Sequence, residues 1–322
     1  MLFESESMGN KSVKKLISIV VPVYNEQDCL EELYRRTSAV MNSIIAYDIE
    51  LVFFDDGSTD ASREMIESFC KKDNRCKAVF LSQNCGYNSV IFYAIQQAKG
   101  DCVVLVHADL QNPPELIPAF IHEWEQGHDV VFGVKNKSHE NKLMYFIRTL
   151  FYWIMNLVFG MGLIPHATDF ELIDKSIIAS LQSVRQSEPV LRLLLPARAR
   201  NKKILYYTQD KRFAGESNFT VKKYYELAVS WIAASPAVLP RRFLCVGLVL
   251  FAACLIELFA GFLPHITQWS YQAVSTPLMV RIGLILLSVM ICFAAVMSEM
   301  LIGAKNKAGS AVCIEERERI NY

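Results

Sequence analysis

Three stretches of this chain end an apolar run in acids, amides or an imidazole, and each could carry chemistry. The first is Val-Pro-Val-Tyr-Asn-Glu (21–26). Here Pro22 and Tyr24 offer a flat apolar surface for a nucleobase, and Glu26 can accept from ribose hydroxyls; a plain strand exit before a helix would read the same way. The second is Phe-Asp-Asp-Gly-Ser-Thr-Asp (54–60). Asp55, Asp56 and Ser58 flank a glycine turn and can bind base and ribose edges, or form an Asx-type turn with Asp60 capping the next helix. The third is His-Ala-Asp-Leu-Gln-Asn-Pro-Pro-Glu (107–115). Asp109 and Gln111 place hard oxygen atoms where a Mg²⁺ or Mn²⁺ ion could bridge a diphosphate. Such an ion would neutralise charge developing on a leaving group.

These residues need a scaffold that brings strand ends together, and the pattern predicts one. Short apolar runs at 16–23, 49–55, 77–82, 102–107 and 129–134 alternate with amphipathic stretches. The runs are continuous rather than alternating, as expected for strands buried on both faces of a mainly parallel sheet. Asp28 with Glu31 predicts a capping box at one helix start. Asn112, Pro113 and Glu115 predict an N-cap, a first-turn proline and a reciprocal acid at another. The implied architecture is a doubly wound α/β domain, which binds ligands at the carboxyl ends of its strands.

The bulk properties restrict the partners. Lys plus Arg equals Asp plus Glu at 33 each, so no global field draws the chain to nucleic acid. The nine cysteines are scattered without metal-ligand or disulfide spacing, which fits a reducing compartment. Residues 1–15 carry charge without an apolar centre and read as a disordered lead-in, not a signal peptide. The 52% hydrophobic content is concentrated near the C-terminus. Segments 243–263 and 282–302 each approach the ~20 residues that cross a bilayer core. Arg241 and Arg242 precede the first, Lys305 and Lys307 follow the second, and only Arg281 lies between. The positive-inside rule then places both ends in the cytoplasm, with 303–322 as a cytoplasmic tail. Segment 143–164 is long enough to span but contains Arg148, and is expected to lie on the membrane surface or pack on the sheet. Segment 221–242 reads as interfacial helix.

Taken in order, VPVYNE, FDDGSTD and HADLQNPPE resemble the GT-A glycosyltransferases of family 2. Thr-Asp-Phe-Glu-Leu-Ile-Asp (168–174) is similar to that family's Asp-Phe-Arg-Leu motif, and Arg-Phe-Ala-Gly-Glu-Ser-Asn-Phe (212–219) to its Arg-x-x-Gly-Glu-Ser-Lys-Tyr segment. The paired spans resemble the polyprenyl-phosphate subgroup, which includes bactoprenol glucosyltransferases, dolichyl-phosphate mannose synthases and undecaprenyl-phosphate aminoarabinose transferases. The likeness runs from about residue 16 almost to the end, with residues 16–220 as the catalytic domain.

The resemblance implies inverting transfer of a sugar, UDP-linked by analogy, to undecaprenyl or another polyprenyl phosphate at the cytosolic face of the inner membrane. It implies catalytic roles for Asp109 and Asp169, with Asp169 as base or acceptor orienter. The donor would be held by Pro22, Tyr24, Glu26, Asp55, Asp56, Ser58 and Gly86. Asp109, Gln111 and His107 would take the metal, and Arg212, Ser217 and Arg148 the acceptor phosphate, with Lys211 as a further cation. A homo-oligomer would fit the subgroup. Four positions depart from the family pattern: His107 for an acid, Gln83 and Glu171 for arginines, and Asn218 for a lysine. Those departures leave open a nucleotide-binding scaffold without turnover, and a transferase with another lipid acceptor.

Overall fold

The computed structural model describes residues 14–137, 142–157, 160–184, 189–209 and 315–322, with helical residues at 244–245, 247–253, 256, 283–294, 297 and 301. Residues 1–13 of the lead-in, segment 210–243 and parts of both expected spans lie outside the described residues. Among the described residues no helix is long and apolar enough to cross a membrane.

Strand β1 (Leu16–Val23) leads into helix α1 (Gln27–Ser43), β2 (Asp48–Asp55) into α2 (Ser62–Lys72), and β3 (Cys76–Leu81) into α3 (Tyr87–Gln97). Strand β4 (Cys102–Leu105) is followed by a 3-10 turn (Pro114–Leu116) and α4 (Ile117–Glu125). Then come β5 (Val130–Lys137), α5 (Lys142–Leu157), β6 (Ala167–Asp174), α6 (Lys175–Leu181), α7 (Leu191–Arg198), β7 (Lys202–Thr208) and β8 (Glu316–Ile320). The eight strands form one sheet in the order β7-β5-β6-β4-β1-β2-β3-β8. β1 pairs in parallel with β2 and β4, and β2 with β3. β6 inserts antiparallel between β4 and β5, so the mainly parallel sheet is mixed on that side.

Buried runs on the central strands supply both cores. In β1 and β2, Ile17, Ile19, Leu51 and Phe53 face α1, α2 and α4, while Val20, Val52 and Phe54 face α3, α6 and α7. Alternation of successive side chains explains how one continuous apolar run serves two layers. Segment 143–164 contains α5, which packs one edge inward: Tyr152 and Met155 join Met161, Leu163, Val190 and Leu193 in a small third core. Phe146, Leu150, Trp153 and Leu157, spaced as one helix face, are exposed.

Three local expectations are corrected. Neither predicted capping box forms. At α1 the N-cap is Glu26 without a side-chain cap, and Gln27 N–H instead donates to Asp60 while Glu26 N–H donates to Ser62 Oγ. At the second site Glu115 pairs with Arg36 and Asn112 accepts from Tyr207, so neither is left to cap. Partners from other loops outcompete the local ones. The third correction is at the C-terminal end. Residues 303–322 are not all tail, because Glu316–Ile320 pair antiparallel with β3 as the edge of the sheet. Arg63–Glu318, Arg319–Gln97 and the bonds from Asn321 to the carbonyls of Cys70 and Cys76 fasten it there.

Candidate active site

The parallel strands β1, β2, β3 and β4 all open onto the same edge of the sheet. Because β6 runs antiparallel to β4 with Leu105 opposite Glu171, its early residues reach that edge too, next to the His107 end of β4. Every acidic motif except the segment beyond residue 209 is therefore placed around one crevice.

The loops of that crevice are stapled to each other. Asn25 N–H donates to Ser58 Oγ at 2.9 Å, and its Oδ1 accepts from Thr59 N–H at 2.8 Å. Asp55 accepts from Ser58 N–H with both oxygens. Asp56 reaches across to the next loop, taking Cys85 N–H at 2.7 Å and Gly86 N–H at 3.1 Å. Burial pushes both carboxyls up, the hydrogen bonds pulling the other way. Gly57 has φ +71, and a Cβ there would come within 2.9 Å of Gln83 backbone, so only glycine lets the two loops touch. Pro22 is half-buried beneath them, Glu26 is also half-buried, and Tyr24 is 47% exposed with its ring available as a stacking face.

Beyond these loops lies a second group the motifs only partly announce. Tyr87, the first residue of α3, is held in the wall of the crevice yet remains 43% exposed. Its hydroxyl lies 3.1 Å from His107 Nε2 and 3.3 Å from Asp169 Oδ2. Asp169 is the charged acceptor, so the phenolic proton belongs to it. The phenol oxygen is then left to accept from a ring N–H of His107. Asp169 is 7% exposed and bound by Arg192 of α7 through two parallel bonds, Nε to Oδ1 at 2.6 Å and Nη2 to Oδ2 at 2.7 Å. Burial opposes its ionisation. The Arg192 charge and hydrogen bond, helped by His107 and Tyr87, outweigh burial and hold the carboxyl below the usual range. Glu171, two residues on and 2% exposed, does the reverse: burial first, then the Asp169 charge, raise its carboxyl well above the ordinary value. Its Oε2 has no hydrogen-bond partner among the described residues.

The Asp109 loop is braced from β7. Asp109 Oδ1 accepts from Gln111 N–H at 3.1 Å, and Gln111 Oε1 accepts from Gln209 Nε2, whose own Oε1 accepts from Lys135. Tyr207 donates to Asn112, and burial first of all pushes its phenol up to about 12. Non-glycine residues with positive φ gather here: Asn25, Leu110, His166 and Asp169, with only Asn321 elsewhere among the described residues. Such backbone is costly, and it concentrates where function constrains geometry. Among the described residues no three His, Cys, Asp or Glu side chains form a metal cage. The Gln111 side-chain oxygen is already engaged by Gln209.

Arg212, Ser217 and Lys211 lie outside the described residues, and Arg148 is half-buried on α5. The sequence reading missed Tyr87 and Arg192. Tyr87 had a signal, since it directly follows the Ser-Gln-Asn-Cys-Gly loop; Arg192 had none.

The architecture is that of a GT-A glycosyltransferase, and the chain is a glycosyltransferase. Residues 18–173 match the model of Glycosyl transferase family 2. An undecaprenyl-phosphate 4-deoxy-4-formamido-L-arabinose transferase from Pseudomonas fluorescens (strain Pf0-1) is 32% identical over 247 residues, covering 74% of this chain and 72% of its own. A prophage bactoprenol glucosyl transferase homolog from Escherichia coli (strain K12) is 26% identical, covering 74% and 78%. Glucosyl-3-phosphoglycerate synthase from Mycobacterium tuberculosis, solved with Mn²⁺, UDP and phosphoglyceric acid, shares the fold at a TM-score of 0.52 and 16% identity, over 68% of this chain and 77% of that one. The chain belongs to glycosyl transferase family 2.

Proposed function

We propose that this enzyme moves a sugar from a UDP-linked donor to undecaprenyl phosphate or a similar polyprenyl phosphate, with inversion, at the cytosolic face of the inner membrane. The observation that carries this is the single crevice shared by the Asp55–Asp56 loop, Asp109 and the His107–Tyr87–Asp169 chain. In this reading Pro22, Tyr24 and Glu26 receive base and ribose. Asp55, Asp56, Ser58 and Gly86 shape the floor under them. Asp109, with His107 and Gln111, would hold a Mg²⁺ or Mn²⁺ ion, which when bound offsets the negative charge of the diphosphate. A phosphate monoester is largely dianionic at neutral pH, its second pKa being near 6. It therefore attacks without a strong general base, and Asp169 acts by orienting. Arg212, Ser217, Arg148 and Lys211 are the proposed acceptor-phosphate contacts.

Membrane attachment is supported by what the described helices leave uncovered. Val249, Ile256, Met290, Phe293 and Leu301 are exposed. Helical residues 247–253 and 283–294 meet at Gly247, where a Cβ would come within 2.5 Å of Cys292 Sγ. Close backbone approach at a small residue is how helices associate in lipid. The exposed face of α5 suits a membrane interface.

The test is direct. Membranes or purified protein receive undecaprenyl phosphate, a divalent cation and a panel of radiolabelled nucleotide-sugars. Chromatographic appearance of one lipid-linked sugar is expected; no product with any donor would refute the reaction.

A further inference from the structure

Arg192 belongs to no motif, yet it makes a charge-paired, two-point grip on the buried crevice carboxylate Asp169. Its helix leaves it little choice of position. Leu191 and Leu195 are buried in the core beneath α3, and Leu193 in the small core beside α5, so α7 is pinned on both flanks of Arg192. The guanidinium meets two candidate carboxyls on the same face of β6, Asp169 and Glu171. It engages Asp169 with Nε and Nη2, and Glu171 Oε2 is left unpartnered among the described residues. Asp169 itself has φ +56 inside a strand, a conformation an aspartate keeps only where its surroundings impose it. The same carboxylate receives the Tyr87 hydroxyl, which in turn meets His107. One rigid helix thus fixes the pose of a chain of groups that runs Arg192, Asp169, Tyr87, His107 across the crevice.

We propose that Arg192 is a positioning residue for sugar transfer: it holds Asp169, and through it Tyr87 and His107, in the arrangement that orients the reacting groups. The inference rests on the transferase reading above. A planar fork with two parallel donors does what a lysine cannot, since an ammonium offers a point charge without fixed direction. Loss of the fork should therefore slow turnover more than it weakens donor binding.

The experiment compares wild type, Arg192→Ala, Arg192→Lys, Asp169→Asn and Asp169→Asn/Arg192→Ala in the lipid-linked sugar assay, with folding followed by thermal unfolding and donor binding by UDP calorimetry. Arg192→Ala should lose on the order of 100-fold in kcat with donor KM within about threefold of wild type. Methylguanidinium in the buffer should restore at least about fivefold of that to Arg192→Ala and nothing to Asp169→Asn, because a soluble planar cation can reoccupy the vacated space. The double variant should be no slower than Asp169→Asn within about twofold, as expected of groups acting as one unit. Retained kcat in folded Arg192→Ala, a loss confined to donor KM, or absence of methylguanidinium rescue would each overturn the proposal. Should Arg192→Ala fail to fold, Arg192→Lys decides: full kcat refutes, and a kcat defect with normal UDP binding supports. An inactive wild type would instead refute the transferase reading and take this inference with it, whereas an active wild type with an indifferent Arg192 refutes this inference alone.

Discussion

Asp56 and Asp169 are both buried carboxyls at strand ends, yet they use their charge differently. Asp56 commits its oxygens to the amides of Cys85 and Gly86, building a loop, while Asp169 faces a guanidinium and a phenol. Asp109 is more open and accepts a backbone bond from Gln111 N–H with one oxygen, which leaves capacity for a cation. Asp109→Ala should therefore remove most activity, and a chelator should do the same to wild type, reversibly on adding Mn²⁺; turnover unaffected by chelation would argue against a metal-bridged diphosphate. Tyr87→Phe should cost about tenfold or more in kcat by removing the hydroxyl that bonds both His107 and Asp169, with UDP affinity unchanged by calorimetry. Glu171 supports a prediction of another kind. Its folded-state pKa is raised, so it stabilises the fold fully below the unfolded value and loses that contribution as pH climbs through the folded one. A glutamine side chain in its place would have no proton to lose. The unfolding temperature of Glu171→Gln relative to wild type should therefore rise as pH climbs above the ordinary carboxylate range, and a flat difference would show that Glu171 is not held neutral.

At the scale of elements, five of the eight strands among the described residues were readable, and β6, β7, β8 and the ties between loops were not. Continuous apolar runs announced β1 to β5 because a strand covered on both faces leaves no polar side to alternate. β4 ends at Leu105 rather than at the predicted 107, since the backbone turns to present His107 and Asp109. β8 escaped notice because Glu-Arg-Glu-Arg-Ile is an edge strand whose side chains meet solvent and charged residues, giving no hydrophobic period. Arg192 escaped because its partner is 23 residues away on another element, and nothing in the local sequence of an amphipathic helix distinguishes a solvated arginine from a clamped one. The candidate site was legible where function sits on strand exits, and hidden where it depends on contacts between elements. Helix α5 carries its own prediction. Trp153, 59% exposed, and Phe146, 62% exposed, lie on its outer face, so Phe146→Glu/Trp153→Glu should raise the apparent KM for polyprenyl phosphate about fivefold or more through poorer seating at the interface. Unfolding temperature should stay the same, and an unchanged KM would leave the outer face without a membrane role.

For the whole molecule, the decisive relation is between the apolar segment and the sheet. Strand β8 follows that segment in the chain and is hydrogen-bonded to β3, which precedes it. Under the proposed membrane attachment the segment must leave and return on the same side, so it crosses an even number of times. In a cysteine-depleted background, Ser270→Cys should react with an impermeant maleimide in intact cells, and Glu315→Cys only after lysis. Labelling of both from outside would break the proposed topology.

Synthesis proceeds from β1 towards β8, so β3 waits as an unpaired edge while everything up to and including the apolar segment is being made. Open strand edges recruit other chains. The ribosome must therefore deliver the closing strand promptly, and a nascent chain stalled just before Glu316 would expose a sticky border that the finished enzyme never shows.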